Sequence, residues 1–171
     1  MSLHIYPITE AQLPELQKIA TETFLTAYAD QNDPKFMDSY IGEYFNEAHL
    51  KSELAHKDAQ FYFVELAGAL IGYLKLNTGE AQTERKLDNA MEVERIYVIA
   101  SAQGKGWGSK LIDFVMSQAK AVQCEQVWLG VWDQNEAAIR FYEKNGFEIF
   151  DEHNFDLGGL SQIDLMMKRS V

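Results

Sequence analysis

Apolar residues recur along the chain with two different periods, and the switches between them mark out the elements. From Thr9 to Ala20, Leu13, Leu16, Ile19 and Ala20 share one helical face, with Thr9 placed as an N-cap. Glu22 to Ala29 reads as a second helical piece, Asp30-Gln31-Asn32-Asp33-Pro34 as a loop, and Phe36–Tyr44 and Glu47–His56 as short helices. Gln60–Leu66 and Leu70–Leu76 predict strands joined at Ala67-Gly68-Ala69 into a hairpin. Asn77–Asn89 is polar and reads as an exposed loop. Met91–Ile99 is the next strand, followed by a glycine-rich turn and a helix from Ser109 to Val122, with Leu111, Ile112, Val115, Ala119 and Val122 on one face. Gln126–Val131 predicts a strand and Asn135–Asn145 a helix, with Gly146 where a left-handed C-cap is wanted. Phe147–Phe150 and Gln162–Lys168 close the sheet. Helices, a hairpin, then strand–helix–strand–helix–strand–strand make a mixed α/β (α+β) sandwich rather than a purely parallel sheet.

Composition narrows the function. A chain of 171 residues predicts one domain with its own core. Its 47% hydrophobic and 24% charged residues argue against disorder. No apolar run is long enough to span a bilayer, and Met1-Ser2-Leu3-His4-Ile5-Tyr6-Pro7 lacks the pattern of a signal peptide, so a cytoplasmic protein without membrane attachment is expected. Cys124 is the only cysteine and excludes an intramolecular disulfide. His4, His49, His56 and His153 are scattered without ligand spacing, so no metal is expected. The net charge of −11 disfavours nucleic acid as a partner. It suits either a cationic substrate or plain solubility.

The turn Gln103-Gly104-Lys105-Gly106-Trp107-Gly108 carries the main chemical signal. Glycines at alternate positions allow a sharp turn whose N–H groups converge on an anion, and the next helix adds its positive end. A pyrophosphate suits such a nest, with Lys105 and Lys110 nearby; a tight turn without a ligand is the alternative. A P-loop is excluded because Gly104-Lys105 is followed by Gly106, and a Rossmann fingerprint because Gly108 follows Gly106 by only two residues.

With the preceding Arg95-Ile96-Tyr97-Val98, this segment resembles the cofactor motif of the GCN5-related N-acetyltransferases (GNAT). The family pattern is Arg or Gln, any two residues, Gly, any residue, Gly or Ala, and Gln103, Gly106 and Gly108 fill it. Asn135-Glu136-Ala137-Ala138 leading to Phe141-Tyr142-Glu143-Lys144-Asn145-Gly146-Phe147 resembles the second family signature. The resemblance implies a single N-acetyltransferase domain over 1–171, a mixed sheet with helices on both faces. Within it, 1–90 would form the acceptor side, 91–150 the acetyl-CoA core and 151–171 the closing strands. It further implies that the backbone of Ile96, Tyr97 and Val98 pairs with the pantetheine arm, and that the amides from Gly104 to Ser109 hold the pyrophosphate. Asn135 would bond the pantetheine, and Lys144 would join the cofactor set. Asn135 is alternatively a helix N-cap; a rival capping box from Asp133 and Glu136 would free its side chain.

Amide formation requires an amine to lose a proton, since alkyl ammonium groups titrate near ~10.4, and a departing thiolate to gain one. Tyr142 matches the family's tyrosine for the second task, with plain core packing as its alternative. Glu92 and Glu94 alternate on the central strand and are candidates for the first, Glu94 ranked ahead. A salt bridge from Glu94 to Arg95 or Arg85 is the alternative, and a strand bulge would decide which carboxylate faces the cleft. The first half resembles bacterial spermidine/spermine acetyltransferases at Glu22-Thr23-Phe24, Asp30-Gln31-Asn32, Tyr40, Phe45, Leu54 and Phe61-Tyr62-Phe63. That implies a small-molecule polyamine acceptor. Asp30, Asp33, Asp38, Glu43 and Glu47 either line a cationic cleft or form a solvated face. A protein N-terminus, an aminoglycoside-type amine, a regulatory acetyl-CoA-binding module and a homodimer stay open.

Overall fold

The computed structural model describes all 171 residues. In chain order the elements are β1 (Leu3–Pro7), α1 (Leu13–Tyr28), α2 (Pro34–Tyr44), α3 (Glu47–Ala55), β2 (Ala59–Leu66), β3 (Ala69–Asn77), β4 (Ala90–Val98), α4 (Trp107–Ala121), β5 (Gln126–Trp132), α5 (Glu136–Lys144), β6 (Glu148–Leu157) and β7 (Leu160–Ser170). The strands form one seven-stranded sheet in the order β1-β2-β3-β4-β5-β7-β6. Every neighbouring pair is antiparallel except β4 and β5, which the α4 crossover joins in parallel.

Both faces of the sheet are covered, as the alternation along β2 requires. Tyr62 and Val64 point to the layer that α4 fills with Leu111, Ile112, Val115 and Ala119. Phe61 and Phe63 point the other way, to Leu16, Ile19 and Phe24 of α1, Met37 of α2 and Leu50 of α3. No helix is long and apolar enough to cross a membrane.

Three elements differ from the sequence pattern. The two expected helical pieces up to Ala29 are one helix, because the stripe Leu16, Ile19, Ala20, Thr23 and Phe24 runs through both. Thr23 fits this interior by donating its hydroxyl to the Ile19 carbonyl at 2.7 Å. β1 was not expected; it pairs with β2 from Leu3–Leu66 to Pro7–Tyr62, with Pro7 tolerated on an edge. β6 continues to Leu157, well past Phe150. As the other edge strand it is mostly polar, so its apolar signal ends early.

Candidate active site

The ladder between β4 and β5 stops partway. It pairs Ala90 with Gln126 through Val93 with Leu129, although β4 continues to Val98 and β5 to Trp132. Each strand keeps its other neighbour, β3 for β4 and β7 for β5. The sheet therefore opens at its centre, and Ile96, Tyr97 and Val98 line one side of the opening. A bulge accompanies it: Lys75 faces Arg95 while Leu76 faces Val93, leaving Glu94 as the extra residue.

The glycine turn sits where β4 ends. Gly104 and Gly106 have φ of +73° and +81°, and a Cβ built on either would meet no atom within 4 Å. Their conformation needs glycine, and the space beside them is open. α4 starts on Gly106 with no capping side chain, so its first amides from Trp107 to Ser109 are not taken by a cap. Gln103 is bound back onto the chain, donating to the Val98 carbonyl at 2.9 Å, and Lys105 donates to the Ser101 carbonyl at 3.0 Å. The Trp107 indole nitrogen is buried without a partner. Gly108 has a different reason for being glycine: a Cβ there would lie 2.8 Å from the Phe141 ring of α5.

Asn135 is itself the N-cap of α5, its Oδ1 accepting from the Ala138 amide at 3.1 Å. The expected Asp133–Glu136 box does not form; Asp133 instead accepts from the Gln134 side chain at 3.1 Å. The cap uses the oxygen of Asn135 and leaves its NH2 group unengaged by the protein. Tyr142, on the same helix, is half-buried and packs against Phe141 and Phe147. Burial, and then Tyr97, raise its hydroxyl above the ordinary value near 10. Lys144 is exposed in the last turn of α5.

A cavity of about 380 Å³ opens on the α1–α3 side of the sheet. Phe24, Tyr28, Tyr40, Tyr44, Phe45 and Tyr97 give it aromatic walls. Glu53, Glu84, Glu92, Glu94, Asp156 and Asp164 supply six carboxylates against one guanidinium, Arg95. Asp30, Asp33, Asp38, Glu43 and Glu47 are not among its lining residues; all five are exposed, so the solvated-face alternative describes them. No group of three or more His, Cys, Asp or Glu is arranged to hold a metal ion.

The two strand carboxylates have different surroundings. Glu92 is buried, and its oxygens accept from the Thr83 amide at 2.8 Å, the Thr83 hydroxyl at 2.5 Å and the Asn77 side chain at 3.0 Å. Burial pushes its carboxyl above the ordinary value despite these donors. Glu94 pairs with Lys75 and accepts from Asn77 at 3.3 Å. Burial pushes its carboxyl up, but Arg95 and Lys75 outweigh burial and hold it below the ordinary value. Lys75 also pairs with Glu53, which in turn takes Arg95 at 3.3 Å. Arg95 lies over the Phe45 ring, 5.1 Å from its centroid, and its Nη1 is buried without a partner.

The sequence pattern left several lining residues unmarked. Glu53 comes from α3, Glu84 from the loop before β4, and His153, Asp156 and Asp164 from the closing strands. They converge only through the sheet order, which no spacing along the chain encodes.

Residues 13–147 match the Acetyltransferase (GNAT) family. An uncharacterized N-acetyltransferase of Lactobacillus delbrueckii subsp. lactis is 36% identical over 98% of this chain and 96% of its own length. A spermidine N(1)-acetyltransferase of Thermoplasma acidophilum is 24% identical over 91% of this chain and 94% of its own. The crystal structure of the PaiA N-acetyltransferase from Thermoplasma acidophilum, in complex with coenzyme A, superposes with a TM-score of 0.81 at 23% identity and covers both chains completely. The opened sheet, the uncapped glycine turn and these likenesses agree: the chain belongs to the GNAT family and is an N-acetyltransferase that uses acetyl-CoA as its co-substrate.

Proposed function

We propose that the acceptor is a polyamine such as spermidine or spermine, or a closely related small polycation. The observation that carries this reading is the cavity, whose six carboxylates outnumber the two cations paired with them, Arg95 and Lys75, between aromatic walls. Such a cleft lowers the energy of a multiply charged amine more than that of a single charge, and aromatic faces favour alkyl ammonium groups. Two relatives point the same way at low identity: the Thermoplasma spermidine enzyme and a spermine/spermidine N(1)-acetyltransferase of Bacillus subtilis, 23% identical over 77% of this chain and 91% of its own length.

In this reading the backbone of Ile96 to Val98 pairs with the pantetheine arm as an added strand. The amides from Gly104 to Ser109 hold the pyrophosphate, with Gln103 bracing the turn and Lys105 and Lys144 adding positive charge. The NH2 group of Asn135 bonds the pantetheine. Tyr142 gives its proton to the departing thiolate; its raised pKa keeps that proton in place at neutral pH. Glu94 and Glu92 supply the negative potential that holds the acceptor ammonium at the opening of the sheet. Of the two, Glu92 has the raised pKa suited to proton transfer, whereas Glu94 is engaged with Lys75.

The test is turnover relative to substrate affinity for spermidine, spermine, a free amino acid, an N-terminal peptide and an aminoglycoside, followed by thiol release. Spermidine or spermine is expected to lead. A preference for the peptide or the aminoglycoside would overturn the polyamine assignment and leave acetyl transfer in place.

A further inference from the structure

His153 stands on β6 directly across from Asp164 on β7. Its side chain is mostly buried and lines the same cavity as Glu92 and Glu94. Its Nδ1 lies 3.1 Å from Glu84 Oε1, and its Nε2 lies 3.6 Å from Asp164 Oδ2. The ring therefore sits between two carboxylates, Glu84 on its Nδ1 side and the more distant Asp164 on its Nε2 side. The nearer Glu84 favours the proton on Nδ1 of the neutral ring, which leaves the Nε2 lone pair on the side of Asp164 and Gly130.

That lone pair faces a particular place. Gly130 is the first residue of β5 beyond the last β4–β5 pair, so it borders the opening of the sheet. A Cβ on Gly130 would lie 3.4 Å from His153 Nε2 and 3.2 Å from Asp164 Oδ2. Gly130, at the base of the opening, is thus adjacent to both the imidazole and the Asp164 carboxylate. The neighbouring carboxylates are less free: Glu94 is paired with Lys75, and three donors occupy Glu92.

We propose that His153, oriented by Glu84, is the group that takes the proton from the acceptor amine. The ammonium gives one proton to Nε2, and the free amine attacks the thioester carbonyl carbon. The C–N bond forms and the C–S bond breaks. Tyr142 protonates the departing thiolate, and the proton lost from the new amide nitrogen restores Tyr142. His153 then releases its proton to water, so one proton leaves per turnover. This assignment rests on amine acetylation and not on which amine is used.

The charged and titratable groups around the ring come from every adjoining element. Glu84 and Lys86 lie in the loop before β4, with Lys86 3.8 Å from Glu84 and 2.7 Å from Asp151 of β6. Asp164 lies on β7, and Glu92 on β4 reaches the same loop through Thr83. Tyr28 of α1 and Tyr97 of β4 interact with Asp164 and keep their protons at neutral pH: the neighbouring Tyr97 hydroxyl, then burial, raises Tyr28, and burial raises Tyr97. Asp164 and, against burial, Glu84 hold the imidazole above its ordinary value. The active, neutral ring is accordingly gained as pH rises through that elevated value.

The test compares pH profiles of kcat/KM for the wild type and His153→Gln, using whichever of spermidine, spermine, n-butylamine or an N-terminal alanyl peptide turns over fastest. The wild type should rise and then level off above pH 6.5. His153→Gln should fall about 10²-fold at neutral pH, the size for a lost general base, with acetyl-CoA affinity and circular dichroism unchanged. Its profile should keep rising toward the pKa of the free amine. Glu84→Gln should move the wild-type inflection to lower pH, a result that stands even if His153→Gln folds poorly. A His153→Gln rate within about twofold of wild type, an inflection unmoved in Glu84→Gln, or an inflection lost instead in Glu92→Gln would each overturn the proposal. A fastest amine that is not a polyamine would count against the polyamine acceptor alone.

Discussion

The two halves of this site are built from different materials. The acetyl-CoA side is made of backbone: an interrupted ladder, two left-handed glycines and an uncapped helix start. The acceptor side is made of side chains from α1, α2, α3, β4, β6, β7 and the loop before β4. A backbone site depends on local conformation, so a short run of residues specifies it. A side-chain site depends on what the fold brings together, so its residues are scattered and individually replaceable. The difference predicts sharp, all-or-none sensitivity on the first side and graded sensitivity on the second.

The largest effect should come from Gly106→Val. A β-branched residue at φ +81° is strained, and its side chain would fill the space open for the pyrophosphate. Calorimetry should find no acetyl-CoA binding to a protein with a native circular dichroism spectrum. Gly108→Val is a less clean probe, because the Phe141 contact at 2.8 Å makes it lower thermal stability as well. Retained binding in Gly106→Val would mean that the turn is not the backbone site described.

On the acceptor side, Glu53→Gln tests whether the charges under the cleft are structural. Glu53 takes both Lys75 and Arg95, and its loss leaves two buried cations short of a partner. Denaturant unfolding should show a loss of about 3 kcal/mol or more, the range for breaking a buried pair. A change below about 1 kcal/mol would place this cluster with weak surface pairs instead.

Tyr142→Phe removes one hydroxyl and little packing. The rate constant should fall about 10²-fold with acetyl-CoA affinity nearly constant. Because the wild-type hydroxyl is held above 10, no loss of rate from its ionisation should appear up to that pH. A near-normal rate in the mutant would return Tyr142 to core packing.

The smallest effect is electrostatic. Raising ionic strength should lower acetylation efficiency a few-fold, more steeply for spermine than for n-butylamine, because screening over about 10 Å at 0.1 M salt weakens the cleft's attraction for each added charge. Equal slopes for the two amines would remove charge complementarity as a reason for choosing a polyamine.

The same division explains what the chain's pattern revealed. The strand–turn–helix around Gly104 and Gly106 was legible because conformation and chemistry occupy the same few positions. The face of α4 was legible through its period in Leu111, Ile112, Val115 and Ala119, whereas Val122, expected on the same face, lies beyond the helix and is exposed. Asn135 was misjudged in one respect: its oxygen caps α5, since a short polar side chain preceding a helix satisfies the exposed amides first. Of the cleft's carboxylates, Glu92 and Glu94 were legible on the central strand; for Asp30, Asp33, Asp38, Glu43 and Glu47 the pattern left cleft and solvated face open, because exposed acids give the same compositional signal as acids lining a cavity. His153 carried no signal, since its partners lie 69 residues before it and 11 after it.

The interrupted ladder has a consequence for the protein between reaction cycles. Where β4 and β5 part after Val93 and Leu129, the sheet acquires two internal edges in addition to those at β1 and β6. Internal edges invite either water or foreign backbone. Acetyl-CoA laid along Ile96–Val98 would act as a removable seam, and a ligand at 100 times its dissociation constant adds about 2.7 kcal/mol to the folded state. The stability of this enzyme would then follow the supply of its own co-substrate, with the β4–β5 seam opening first when that supply runs low.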